Sequence, residues 1–116
     1  MNSFEELATL DRLIHEPARL AILTALSSIR SADFLFLQHL TGLTGGNLSA
    51  HLAKLSEAGL VEIDKQFVER SSPGGAIKLR PNTQARITPI GRQAIDAHWQ
   101  KLEELRRNTR GWKPVE

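Results

Sequence analysis

The residues from Thr44 to Lys54 set small and polar side chains against a stripe of leucines. On a helical wheel with Leu48, Leu52 and Leu55 turned inward, the opposite face carries Gly46, Ala50, Ala53 and Lys54. Asn47 and Ser49 flank it, and His51 falls at the edge between core and exposed face, where it either meets a binding partner or rests against the second helix. Such a face suits a helix laid in a groove roughly 12 Å wide that displays base edges: small residues permit close approach, asparagine can pair bidentately with adenine, alanine can touch a thymine methyl, and lysine reaches guanine or phosphate. A solvated amphipathic helix has the same stripe. Gly45-Gly46 weakens a helix start by up to about 1 kcal/mol per glycine relative to alanine. Either close backbone approach to a phosphate or a simple turn requirement can account for the pair.

Other chemistry-bearing groups are sparse. Between Lys65 and Arg92 the cations Lys65, Arg70, Lys78, Arg80, Arg86 and Arg92 face the single acid Glu69, whereas acids outnumber bases before Thr44. A locally cationic segment attracts a polyanion by field and counterion release even though the net charge is only +2. The histidines, His15, His39, His51 and His98, fall in four different expected helices without a spacing such as His-x-x-x-His. Neither Gly-x-Ser-x-Gly nor a glycine loop with a phosphate-binding lysine occurs. The chain is therefore expected to be no enzyme and to use no cofactor or metal. With no cysteine, disulfides and thiolate metal sites drop out.

The elements that must position these groups can be read from caps and periodicity. Phe4, Leu7, Leu10, Leu13 and Ile14 predict a first helix over about 4–15. Pro17 opens a second that ends at Ser27-Ser28. Asp33 caps a third, which Gly42 stops; Thr44 caps a fourth, with Gly59 at its exit. From Leu60 the period changes. Leu60–Ile63 and Gln66–Val68 read as strand, Ser72-Pro73-Gly74-Gly75 as a turn, and Ala76–Leu79 with Ala85–Ile87 as returning strand. Thr88-Pro89 starts a last helix that runs to about Arg107. The expected fold is mainly α with a small β-hairpin wing, a winged helix-turn-helix in the order α-α-α-α-β-β-α. At 116 residues it forms a single domain over 1–116. The start Met1-Asn2-Ser3-Phe4-Glu5-Glu6 has no signal-peptide pattern and no apolar run approaches a membrane span, so a cytoplasmic protein without membrane contact is expected.

The run Asn47-Leu48-Ser49-Ala50-His51-Leu52-Ala53-Lys54-Leu55, followed by Ala58-Gly59-Leu60-Val61, resembles the recognition helix and wing entry of MarR/ArsR-like winged-helix transcriptional regulators, in particular their small single-domain subgroup. Pro17–Leu23 is similar to that subgroup's second helix, Lys65–Val68 to its first wing strand, and Ile87–Arg92 to its wing exit. The resemblance spans roughly residues 10–100, and the segment 71–84 makes the wing longer than in the subgroup. It implies double-stranded DNA as partner and a regulator, by expectation a repressor, acting as a homodimer. Thr44, Gly46, Asn47, Ser49, Ala50, His51 and Lys54 would contact DNA from the recognition helix, and Arg70, Lys78 and Arg80 from the wing.

The last helix carries Ile95, Trp99, Leu102 and Leu105 on about one face. These are expected to form the dimer interface with Leu7, Leu10 and Ile14 of the N-terminal helix. Two other readings fit the residues: a winged helix that binds a protein instead of DNA, and a regulator responding to a small-molecule effector in a dimer-interface pocket lined by Trp99 and His98.

Overall fold

A computed structural model describes the backbone of residues 2–71 and 77–114 and, within these, the side chains outside 66–81. The elements are α1 (Ser3–Ala8), α2 (Pro17–Ser28), β1 (Ala32–Asp33), α3 (Phe34–Thr41), α4 (Gly45–Glu57), β2 (Val61–Ser71), β3 (Ile77–Ile87) and α5 (Pro89–Thr109). Local chemistry sets most of the boundaries. The carboxylate of Asp33 accepts from the Phe36 N–H at 2.7 Å to open α3. Gly42 closes it in the left-handed region at φ 70°, where a Cβ would be disfavoured. Glu16 accepts from the Arg19 N–H at 2.9 Å ahead of Pro17, and Thr88 from the Gly91 N–H at 2.9 Å ahead of Pro89.

Three elements differ from the sequence expectation. The first helix ends at Ala8 instead of running to about His15. The Thr9 hydroxyl bonds back to the Glu5 carbonyl at 2.9 Å, and the Asp11 carboxylate accepts from the Leu13 N–H at 2.8 Å. Short polar side chains thus offer the backbone partners that compete with the helix. His15 accordingly lies between helices. The second difference is β1, a two-residue strand pairing Ala32 with Ala85 and Asp33 with Gln84, which turns the hairpin into an antiparallel sheet ordered β1-β3-β2. The third is that β3 is continuous through Pro81, whose partner on β2 is Phe67. Because β1 reaches only Gln84 and Ala85, β3 is an edge strand at Pro81, where a missing N–H can be tolerated.

The core lies between α2, α3, α4, the base of the sheet and the first half of α5. Ile22, Leu23 and Leu26 of α2, Leu37 of α3, Leu48, Leu52 and Leu55 of α4, and Ile95 of α5 are buried together with Leu60, Val61, Ala32 and Ala85. Among the described residues no helix is long and apolar enough to cross a membrane. The wing is anchored at its exit by one side chain: the Thr88 hydroxyl donates to the Gly59 carbonyl at 2.7 Å while accepting from Gly91. The Thr88 N–H meets the Leu60 carbonyl at 3.0 Å. The turn after α4 and the first turn of α5 are thereby fastened to each other.

Candidate nucleic-acid interface

α4 meets the core through Leu48, Leu52 and Leu55, all essentially without exposure, and its opposite face is open. Gly46, Asn47, Ser49, Ala50, Ala53 and Lys54 are all exposed. The helix starts cleanly because the Thr44 hydroxyl accepts from the Asn47 N–H at 3.2 Å, satisfying one of the orphan amides at the N-terminus. Thr44 itself remains exposed.

The structure bears on the turn requirement considered for Gly45-Gly46. Neither glycine has positive φ; the left-handed residues flanking α4 are Gly42 and Gly59. A Cβ at Gly46 would meet nothing within 4 Å, and one at Gly45 only side-chain atoms at 3.9 Å. The fold therefore has no internal need of a glycine at position 46.

Beside this face lies a groove of about 430 Å³ lined by Phe34, Ser49, Leu52, Ala53, Ile63, Lys65 and Thr83. It joins α4 to the base of the β2–β3 strand pair and brings Lys65 next to the exposed flank of α4. The other cations are distributed differently from the sequence count. Arg86 forms an ion pair with Glu62 at 2.7 Å, and Arg92 donates to the Ser27 carbonyl at 2.6 Å, closing the C-terminus of α2. The backbone register sets Arg70 opposite Lys78 and Val68 opposite Arg80; the side chains of Arg70, Lys78 and Arg80 lie outside the described residues.

His51 occupies the edge expected for it, with its side chain 22% exposed. Its Nδ1 lies 3.1 Å from a terminal nitrogen of Arg19, a largely buried arginine of α2, and 3.7 Å from the Glu16 carboxylate. Burial pushes the Glu16 carboxyl upward, but hydrogen bonds from the Arg19 and Ala18 amides, with the charge of Arg19, outweigh it and hold the group below the usual carboxylate range. That His51 rests against the second helix is one reading of its edge position; its partners there cannot be read from spacing, because Arg19 and His51 are 32 residues apart.

The residues expected to meet a second copy divide into two sets. Ile14, Ile95 and Leu105, expected at the dimer interface, are buried within the single chain. Leu7 and Trp99 are exposed, and Leu10 and Leu102 half-buried. α1 packs on α5, with Lys101 donating to Glu6 at 3.0 Å and the rings of Phe4 and Trp112 edge to face at 5.4 Å. Trp99 turns to α2, where its indole N–H donates to the Thr24 hydroxyl at 3.1 Å.

A second cleft, of about 460 Å³, opens between the α1–α2 segment and α5; Asp11, Ile14, His98 and Lys101 are among its lining residues, and Trp99 is not. Here His15 and His98, 83 residues apart, meet with Nδ1 and Nε2 at 3.0 Å. Burial, reinforced by His15 and opposed more weakly by Asp11, lowers the pKa of His98 below the ordinary imidazole value of 6.5. As pH falls, the unfolded chain takes up this proton at about 6.5 and the folded chain only lower, so stability is full above that value and declines through the window below it. The thermal midpoint is accordingly expected to fall between about pH 7 and about pH 5.5, with a shallower fall in His98→Gln. Parallel profiles for the two proteins would refute this assignment.

Among known proteins, a family model described as winged helix DNA-binding domain matches residues 18–106. An uncharacterized protein of Methanocaldococcus jannaschii is 32% identical over 97 residues, spanning 84% of this chain and 96% of its own length. The structure of a transcriptional regulator homologue from Pyrococcus horikoshii OT3 superposes with a TM-score of 0.74 at 28% identity, covering 92% of this chain and 96% of the other. A MarR-family transcriptional regulator from Silicibacter pomeroyi shares the fold, with a TM-score of 0.57, 21% identity and coverage of 97% and 68%. With the helix-turn-helix, the open face of α4 and the strand pair that follows it all in place, the chain belongs to the winged helix DNA-binding domain family.

Proposed function

We propose that this chain is a non-enzymatic transcriptional regulator that binds double-stranded DNA sequence-selectively, as a homodimer in the cytoplasm, and acts as a repressor. The observation that carries the reading is the exposed face of α4, small and polar, with a glycine at position 46 that nothing inside the fold requires. In this reading Thr44, Gly46, Asn47, Ser49, Ala50, His51 and Lys54 approach the major groove, and the wing with Arg70, Lys78 and Arg80 meets the backbone beside it. Residues 1–116 act as one DNA-binding domain whose terminal helices also pair two copies. Leu7, Leu10, Trp99 and Leu102 supply the apolar surface for that pairing, and two recognition helices about 34 Å apart then read a pseudo-palindrome.

The test is a mobility-shift titration on DNA upstream of the protein's own gene, beside a random duplex, with the oligomeric state measured by sedimentation. Selective binding by a dimer supports the proposal; a folded protein that binds neither duplex would be a protein-interaction module. Asn47→Ala is expected to lose about 1–3 kcal/mol of discrimination at one base pair per half-site, whereas Lys65→Ala weakens all sequences alike. Equal losses on every duplex for both variants would contradict this division of roles.

A second reading concerns regulation and rests on the cleft beside His98, which is large enough for a small organic effector. Such a ligand would touch both α5 and the segment leading into α2.

A further inference from the structure

We propose that Arg19 of α2 and Glu16, which caps that helix, make His51 a dedicated hydrogen-bond donor, with its ring neutral and its proton on Nε2, so that the recognition helix offers this edge only to a hydrogen-bond acceptor on DNA. The proposal rests on the DNA-binding reading and adds the polarity of one contact and the residues that set it.

Arg19 is held on three sides. Its Nε donates to the Leu13 carbonyl at 2.6 Å, one terminal nitrogen to the Arg12 carbonyl at 3.3 Å, and the other points at His51 Nδ1 from 3.1 Å. A guanidinium has donors and no acceptor. The only hydrogen bond this geometry permits has Nδ1 as the lone-pair nitrogen. An imidazolium, or the neutral ring protonated on Nδ1, would set N–H against N–H. Glu16 is fixed in turn by capping α2, and its carboxylate lies 3.9 Å from the same Arg19 nitrogen, balancing the guanidinium charge so that it can persist beside a neutral ring.

Nε2 is the nitrogen that remains. No described residue pairs with it, and no buried side-chain nitrogen or oxygen lacks a partner among the described residues. Nε2 therefore reaches solvent. His51 lies in line with Asn47 and Lys54 at helical spacings of four and three, along the flank of the exposed face. A donor there pairs with a phosphate oxygen or a purine N7 and is mismatched with the amino groups of cytosine and adenine. Arg19 and Glu16 are positioning residues and need not touch DNA.

Long-range proton–nitrogen correlation spectra of the labelled full-length protein read the tautomer directly. His51, identified by its loss in His51→Ala, is expected as the Nε2–H form, and Arg19→Lys, which keeps the charge without the fork, is expected to release a mixture. A proton on Nδ1 in the wild type overturns the proposal. For the DNA side, a duplex selected by the wild-type protein from a random pool is substituted purine by purine with 7-deaza analogues and phosphate by phosphate with methylphosphonates. One position per half-site is expected to weaken wild-type binding about three- to tenfold and to have no effect on His51→Ala. A 7-deaza position identifies a base contact and a methylphosphonate position a phosphate contact. His51→Gln, whose amide reaches the Nε2 position, retains the sensitivity; His51→Asn, whose amide matches Nδ1, loses it. If the wild type binds DNA and no position is silenced in His51→Ala, the proposal fails while the DNA-binding reading stands. If the wild type binds no duplex, the reading itself falls, and the acceptor assignment falls with it.

Discussion

Gly91→Ala is expected to be among the most damaging single-methyl additions in this protein. A Cβ at this position would fall inside the van der Waals shell of the Leu60 carbonyl oxygen and 2.9 Å from both the Leu60 carbonyl carbon and Ile87 Cγ1. Two of these three atoms are backbone, at the junction where the Thr88 hydroxyl ties α5 to the turn after α4. No rotamer change can clear them, so α5 or the start of the wing must shift. Overpacking costs about 1–3 kcal/mol and sometimes more, and an obstruction by backbone belongs at the upper end. A loss of about 3 kcal/mol would be a large part of the roughly 5–15 kcal/mol that stabilises a domain, and would lower the thermal midpoint by about 10 °C. Gly46→Ala is the control: with nothing within 4 Å of the new methyl, it leaves stability unchanged or raised by up to about 1 kcal/mol. In the DNA-binding reading the same variant weakens binding, because the methyl stands on the face that approaches the groove. A Gly91→Ala protein melting like the wild type would contradict the packing of α5 on Leu60.

The second large effect is expected from salt. A homodimer that neutralises about six phosphates should lose about a thousandfold in affinity between roughly 50 and 200 mM salt, since each phosphate contact adds about −0.9 to the slope of log K against log salt. The described cations that can contribute are unequal. Lys54 and Lys65 stand exposed, while Arg86 is neutralised by Glu62 and Arg92 is committed to the Ser27 carbonyl. Lys65→Ala is therefore expected to flatten the slope by about one unit per protomer, and Arg92→Ala to act mainly on stability. Binding that ignores salt would instead favour an apolar contact with a protein partner.

The sequence by itself determined the features that depend on residues three or four apart. Pro17, Asp33, Gly42, Thr44 and Thr88-Pro89 mark helix ends because a cap or a left-handed turn is satisfied within one turn of helix, and each stands where expected. The spacing of Leu48, Leu52 and Leu55 likewise set which face of α4 is buried. Only the tertiary structure decided what lies far apart in the chain. Two residues of β1 have no periodicity to read; they are strand because Ala85 and Gln84 pass beside them. α1 stops at Ala8 although the apolar spacing continues, because Leu13 and Ile14 reach the core without a helix. An apolar stripe states that burial is required but not by which surface: Ile95 and Leu105 are covered by their own chain, whereas Trp99 stays 45% exposed. The contacts His15–His98 and Arg19–His51 exist because packing α2 against α4 and α5 carries polar atoms to within hydrogen-bonding distance, and no local pattern in the chain encodes that approach.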